Sequence, residues 1–217
     1  MAGEPESVVD KTERMEDEPE RTFTELARRD QIVGATVSVL ANEGFRKATI
    51  ERIAEAAGIS KALVLYHFSN KEELIRQTFF RVYEQLSELI GSTLDPDWPA
   101  DQLLREFVVA TVCLGVEHAD QHRALEQIII NRGIAETRES ATISFAEKEP
   151  LYRAQEDLFR AGQQAGILRD FDVRVMAITQ QGATDAMIRY LIVHPEADPE
   201  HHAQALADIL LAAVRAS

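Results

Sequence analysis

Residues 49–71 read TIERIAEAAGISKALVLYHFSNK, and this stretch decides the fold. Thr49 is placed to cap a helix, because a hydroxyl there can accept from one of the first amides, which have no partner within the helix. Ile50, Ile53, Ala54 and Ala57 then fall on one helical face. Gly58 stands where the helix must end in a left-handed residue, a conformation that costs glycine less than any residue with a Cβ. Ser60 can cap a second helix, and Ile59 before it can pack on Val64 as a hydrophobic staple. The pattern predicts a helix-turn-helix.

The second of these helices has two unlike faces. At about 100° per residue, Val64 and Phe68 point into the domain, while Ala62 and Tyr66 point away with Leu63 and Leu65 beside them. An outward face of Ala, Leu and Tyr suits the edges of DNA bases, where thymine methyls take apolar contact and a phenol reaches an acceptor or a phosphate. Lys61, His67 and Lys71 form a basic collar around it. A small core helix with a solvated rim would show the same apolar spacing. The coincidence of caps, staple, glycine turn and basic collar favours the DNA-facing surface.

The run ATIERIAEAAGISKALVLYHFSNKEELI, residues 48–75, preceded by LANEGF, resembles the N-terminal domain of the TetR family of bacterial transcriptional repressors. The resemblance covers roughly residues 26–76 and implies a phosphate-contacting lysine opening the fourth helix, here Lys71. It also implies an all-helical C-terminal domain that dimerises and binds an inducer. The candidate DNA-contacting residues are Thr49, Ser60, Lys61, Ala62, Leu65, Tyr66, His67 and Lys71. Two positions depart from the family pattern: Leu65 stands where a backbone-binding tyrosine is usual, and Leu63 where a threonine or other polar residue is frequent.

Composition agrees with a helical chain. Its 217 residues include seven prolines and few aromatics, with abundant helix formers, and no segment has the two-residue period of a strand. A single cysteine, Cys113, excludes an internal disulfide and a Cys-based zinc site. The start is acidic rather than signal-like, and no apolar run approaches the roughly 20 residues that span a bilayer. A cytoplasmic protein without membrane contact is expected.

The net charge of −14 argues against binding a polyanion until its distribution is considered. Residues 1–20 hold eight acids and two bases, −6; residues 21–76 hold nine bases and seven acids, +2; the remainder carries −10. The only positive segment is the one with the motif. Screening over about 8 Å at physiological salt lets a local collar act while the acidic body stays distant.

Along the chain, residues 1–22 form an acidic arm whose composition cannot offset its ordering entropy. A DNA-binding domain follows over 23–70, then a ligand-binding and dimerisation domain over 71–217. A first helix is expected from Thr24 to Asn42, with Ile32, Ala35 or Thr36, Val39 and Leu40 inward and Gly44 as its stop. Arg28, Arg29, Arg46 and Lys47 are further candidates to approach phosphates. Asn70 and Glu73 form a capping box for a long helix whose Leu74, Phe79, Phe80, Val82, Tyr83, Leu86 and Leu89 extend towards the second domain.

GSTLDPDWPA, residues 91–100, breaks that helix. Helices are expected over 101–119, 124–134 and about 140–165, the last ended by Gly162 and Gly166. Their apolar surface allows either a closed core or a pocket for a small, largely apolar effector. Phe107, Thr111, Leu114, Glu117, Arg132, Phe145, Tyr152, Gln155 and Phe159 are its candidate lining. Two terminal helices, over about 172–193 and 199–215, carry small and apolar faces that suit either packing within one subunit or a two-fold four-helix interface, which the resemblance favours. Ile178, Gly182, Ala186, Tyr190, Leu206, Ile209 and Leu210 are assigned to it.

No Gly-rich phosphate loop, nucleophile elbow or framed carboxylate pair is present, so no catalytic residue, cofactor or metal is assigned. His118 and His122 have a helical spacing that could hold a metal, without a further ligand. The expected molecule is all-α: an N-terminal three-helix helix-turn-helix domain joined by a long helix to a helical bundle. It acts as a homodimeric, ligand-responsive regulator of a double-stranded DNA operator. The competing expectations are a helical enzyme or metal protein with a vestigial motif, and an architectural DNA-binding protein without inducer.

Overall fold

The computed structural model describes the backbone of residues 23–134 and 138–216, and side chains there except at 132–134, 138–148 and 150–151. The acidic arm and the side chains of Arg132 and Phe145 lie outside what is described. Among the described residues the chain forms helices α1 (Phe23–Glu43), α2 (Ile50–Ala57), α3 (Lys61–His67), α4 (Lys71–Ser92), α5 (Ala100–Glu117), α6 (Ala119–Ile134), α7 (Arg138–Gln164), α8 (Val173–Val193) and α9 (Pro199–Val214). The only bridge of strand type among them is an isolated one between Leu168 and Arg215. No helix among them is long and apolar enough to cross a membrane.

Two apolar cores organise these helices. The first gathers Ile32, Val39 and Leu40 of α1, Ile53 of α2, Val64 of α3 and Phe68 after it with Leu74, Ile75 and Phe79 of α4. Thr36 rather than Ala35 takes the fully buried place on α1, its hydroxyl donating to the Ile32 carbonyl at 2.8 Å. Ala124 and Ile128 of α6 close this core from the other side, so α6 is shared between the helix-turn-helix and the bundle. The second core sits among α5, α7, α8 and α9, with Leu104, Val108, Phe159, Ile188, Leu206 and Leu210 at its centre.

Several boundaries differ from those expected. The helix expected from residue 124 starts at Ala119, because the chain breaks only at His118 before continuing as α6. Asn70 Oδ1 accepts from the Glu73 amide at 2.8 Å, but the Glu73 carboxylate turns to Arg76 and Gln77 instead of back to the cap. Arg76, three residues on, attracts it more strongly than a backbone amide. Phe80 and Leu89 face outward rather than towards the second domain.

Gly162 does not end α7. It lies within the helix where a Cβ would stand 2.6 Å from Leu168 Cδ1, so its role is close packing. Gly166, with φ +71°, makes the stop, and the Ile167 amide returns to the Gly162 carbonyl at 3.0 Å.

Candidate nucleic-acid interface and ligand cavity

The N-terminus of each helix of the helix-turn-helix is held by the side chain expected to cap it. Thr49 Oγ1 accepts from the Arg52 amide at 3.2 Å, and Ser60 Oγ from the Leu63 amide at 3.2 Å. Gly58 adopts φ 66°, and its amide reaches the Glu55 carbonyl at 3.1 Å while that of Ile59 reaches the Ala54 carbonyl at 3.0 Å. These two bonds satisfy carbonyls that the end of α2 leaves open and fix the direction in which α3 departs. Gln31 of α1 adds a brace, donating to the Ala57 carbonyl at 2.7 Å.

Placed on that corner, α3 divides its faces sharply. Val64 and Phe68 are buried, whereas Tyr66 is 72% exposed, Leu65 38%, and Ala62 is open to solvent. Leu63 and His67 are half-buried. Burying Val64 and Phe68 makes the position of the outward face a consequence of the core, which limits how far Tyr66 can shift.

The basic collar is more occupied than its sequence suggests. Lys61 is ion-paired with Glu51, and that bond holds the Glu51 carboxyl below its ordinary range. Arg29 donates to the His67 carbonyl and stacks over the Phe68 ring, its guanidinium carbon 4.1 Å from the centroid. It therefore braces α1 to the end of α3. Arg28 bonds Gln31 at 2.6 Å. Lys71 folds back on Phe45, donating to its carbonyl at 3.2 Å and lying 4.7 Å from its ring, and burial pushes the ammonium below its ordinary value. One of its three N–H donors is used in this way. Thr49 and Ser60 are exposed, and the Thr49 hydroxyl also hydrogen-bonds the Glu51 carboxylate.

In the bundle a cavity of about 470 Å³ opens among α4, α5, α6 and α8. Phe79, Tyr83, Leu86 and Ile90 of α4, with Phe107, Thr111 and Leu114 of α5, form one wall. Leu125, Ile129 and Ile130 of α6 face them, and His122, Glu126, Gln181, Asp185 and Arg189 supply the polar groups. Burial raises the Tyr83 phenol above its ordinary value.

Of the expected lining residues, Phe107, Thr111 and Leu114 are there. Tyr152 and Phe159 are not: both are buried in the second core, on the side of α7 away from the cavity. Glu117 is exposed at the end of α5. Gln155 lies one layer behind the wall, its amide donating to Gln181 Oε1 at 3.3 Å. The expected lining, drawn from α5 and α7 with Arg132 alone on α6, contains no residue of α4 or α8, although the inward stripe of α4 includes Phe79, Tyr83 and Leu86. His118 stays at the α5/α6 break while His122 turns into the cavity.

The terminal helices also divide. Ile178, Gly182, Ala186 and Tyr190 share one exposed face of α8, and Ile209 is 67% exposed on α9. Leu206 and Leu210, assigned to the same interface, are 8% and 5% exposed and belong to the subunit's own core. Both apolar faces of α9 repeat at helical spacing, and only the packing against α5 decides which of them is inward.

Residues 32–78 match the family described as bacterial regulatory proteins, tetR family. The chain is similar to the HTH-type transcriptional regulator BetI of Cronobacter sakazakii, 33% identical over 69 residues that cover 32% of this chain and 34% of BetI. It is also similar to the HTH-type transcriptional repressor NicS of Pseudomonas putida, 28% identical over 143 residues, 65% of this chain and 66% of NicS. The chain thus spans about a third of the BetI it matches. In shape it resembles a bacterial regulatory protein in the tetR family from Rhodococcus RHA1, with TM-score 0.73 and 20% identity, covering 88% of this chain and 98% of that one. The likeness in shape shows the fold, and the match over residues 32–78 identifies the helix-turn-helix and its supports as a segment of the kind found in tetR-family bacterial regulatory proteins.

Proposed function

We propose that this chain is a ligand-responsive, sequence-specific DNA-binding regulator that acts as a repressor. The observation that carries it is the outward face of α3, where Ala62, Leu65 and Tyr66 stand exposed on a helix whose Val64 is buried. Residues 23–70 are the DNA reader and 71–217 the sensing and dimerising body. Ala62, Leu65 and Tyr66 meet base edges and groove walls, while Thr49, Ser60, Lys61, His67 and Lys71 meet phosphates.

The dimer forms through the exposed faces of α8 and α9, around Ile178, Gly182, Ala186, Tyr190 and Ile209. Two copies of α3 then enter successive major grooves about 34–36 Å apart on a pseudo-palindrome. A small molecule in the cavity binds one spacing of the two reading heads better than the other, and that difference in affinity is the switch. Lys61 exchanges Glu51 for a phosphate on binding, so affinity falls steeply with added salt.

Selection of random duplexes on the purified full-length protein tests the reading. Enrichment of a palindrome, bound as two chains per duplex and lost on Tyr66→Ala, is expected. Failure to enrich any sequence would reject it. Thermal stabilisation by a small-molecule panel, with release of the enriched duplex by the stabilising compound, tests the effector role.

A further inference from the structure

The cavity's charges restrict what can enter it. Among the described residues its ionisable lining consists of Tyr83, His122, Glu126, Asp185 and Arg189. Taking His122 as neutral, that is two carboxylates against one guanidinium, a formal −1. The guanidinium is also committed: Arg189 Nη1 lies 2.5 Å from Glu126 Oε1, across a sequence separation of 63 residues. Glu126 is the better shielded partner, with a side chain 19% exposed against 51% for Arg189, so the negative end of the pair lies inward. His122 Nε2 lies 3.9 Å from the same carboxylate oxygen. Asp185 stands one turn before Arg189 on α8 and accepts from Gln181 at 2.6 Å. The polar groups therefore run along α6 and α8, opposite the apolar wall from α4 and α5.

An anionic head entering this space would bring a third negative charge to one guanidinium that is already paired. A cationic head meets two carboxylates, Glu126 and Asp185. Resting on the effector reading above, we infer that the cavity takes an amphiphilic organic cation: an apolar aromatic or alkyl body against α4 and α5, and a protonated amine or quaternary ammonium between Glu126 and Asp185. A volume of about 470 Å³ lies within the ordinary range for small-molecule sites, and its apolar wall accommodates the body.

Three probes of one shape test this: hexylamine, hexanoate and hexanol, each bearing a terminal phenyl group, titrated into the full-length protein by calorimetry at neutral pH. The amine is expected to bind at least about tenfold more tightly than the carboxylate, with the alcohol between. Glu126→Gln or Asp185→Asn should narrow that gap and Arg189→Gln should widen it; opposite shifts cannot arise from a general loss of fold. A carboxylate that binds as tightly as the amine overturns the ligand class and leaves the effector reading standing. Failure of all three to bind, or amine binding that none of the substitutions moves, overturns the assignment to this cavity. Amine binding that responds to the substitutions without changing affinity for the enriched duplex keeps the inference and overturns the effector reading instead.

Discussion

Gln127 Oε1 accepts a hydrogen bond from the backbone amide of Phe45, 82 residues earlier, at 3.4 Å. The carbonyl of the same Phe45 accepts from the Lys71 ammonium at 3.2 Å. Phe45 thus joins α6, which lines the cavity with His122, Leu125 and Glu126, to the residue that opens α4 beside the proposed DNA surface. A shift of α6 on ligand binding has a direct mechanical route to Lys71 through this one residue. By hypothesis Gln127→Ala leaves affinity for the free operator within about threefold but lowers ligand-induced release by about fivefold, a coupling change of roughly 1 kcal/mol. Operator titrations with and without effector measure it, and unchanged coupling would remove Gln127 from the route.

Tyr66 and Phe68 lie two residues apart and should fail in opposite ways. Tyr66→Ala removes an exposed side chain, so operator affinity should fall about tenfold with the melting temperature almost unchanged. Phe68→Ala empties a fully buried site and loses the ring under Arg29, at about 3–5 kcal/mol of stability. Paired melting curves and duplex titrations separate the two. A Tyr66→Ala protein that melts early would mean the ring supports the fold rather than the interface.

Ile209 and Leu210 give a similar contrast on α9. Ile209→Glu places a charge on the exposed face proposed to meet a second copy, and sedimentation should find it monomeric with its helical content intact. Leu210→Ala instead opens a cavity in the second core, costing about 2–5 kcal/mol. An Ile209→Glu protein that stays dimeric would place the interface elsewhere.

Acid should unfold the bundle partly through Glu149. Its carboxylate takes two bonds from Arg174, at 2.8 and 2.9 Å, and one from Arg153 at 3.1 Å, which lower its pKa from 4.5 to about 2. Because the folded value is the lower one, the stabilisation is present above pH 4.5 and is lost as the pH falls towards about 2. Denaturant midpoints compared at about pH 7 and pH 3 should fall less in Glu149→Gln than in the parent protein. Parallel declines would assign the acid sensitivity to other carboxylates.

What could be read in the amino-acid sequence was local. The caps at Thr49, Ser60 and Asn70, the turn at Gly58 and the burial of Val64 and Phe68 each depend on residues within a few positions, where spacing determines geometry. The outward face of α3 followed from them, because a helix with one buried side has little choice about the other. The cavity and the α8/α9 face were different. Helical period says that faces differ, but on a helix such as α9, apolar on more than one side, it cannot say which side meets a neighbour. Leu206 and Leu210 therefore went inward while Ile209 stayed out. The pairing of Arg189 with Glu126 and of Gln127 with Phe45, and the closing of the first core by α6, join residues far apart in the chain. Only the packing of whole helices, set by the total apolar surface they can bury together, brought them into contact.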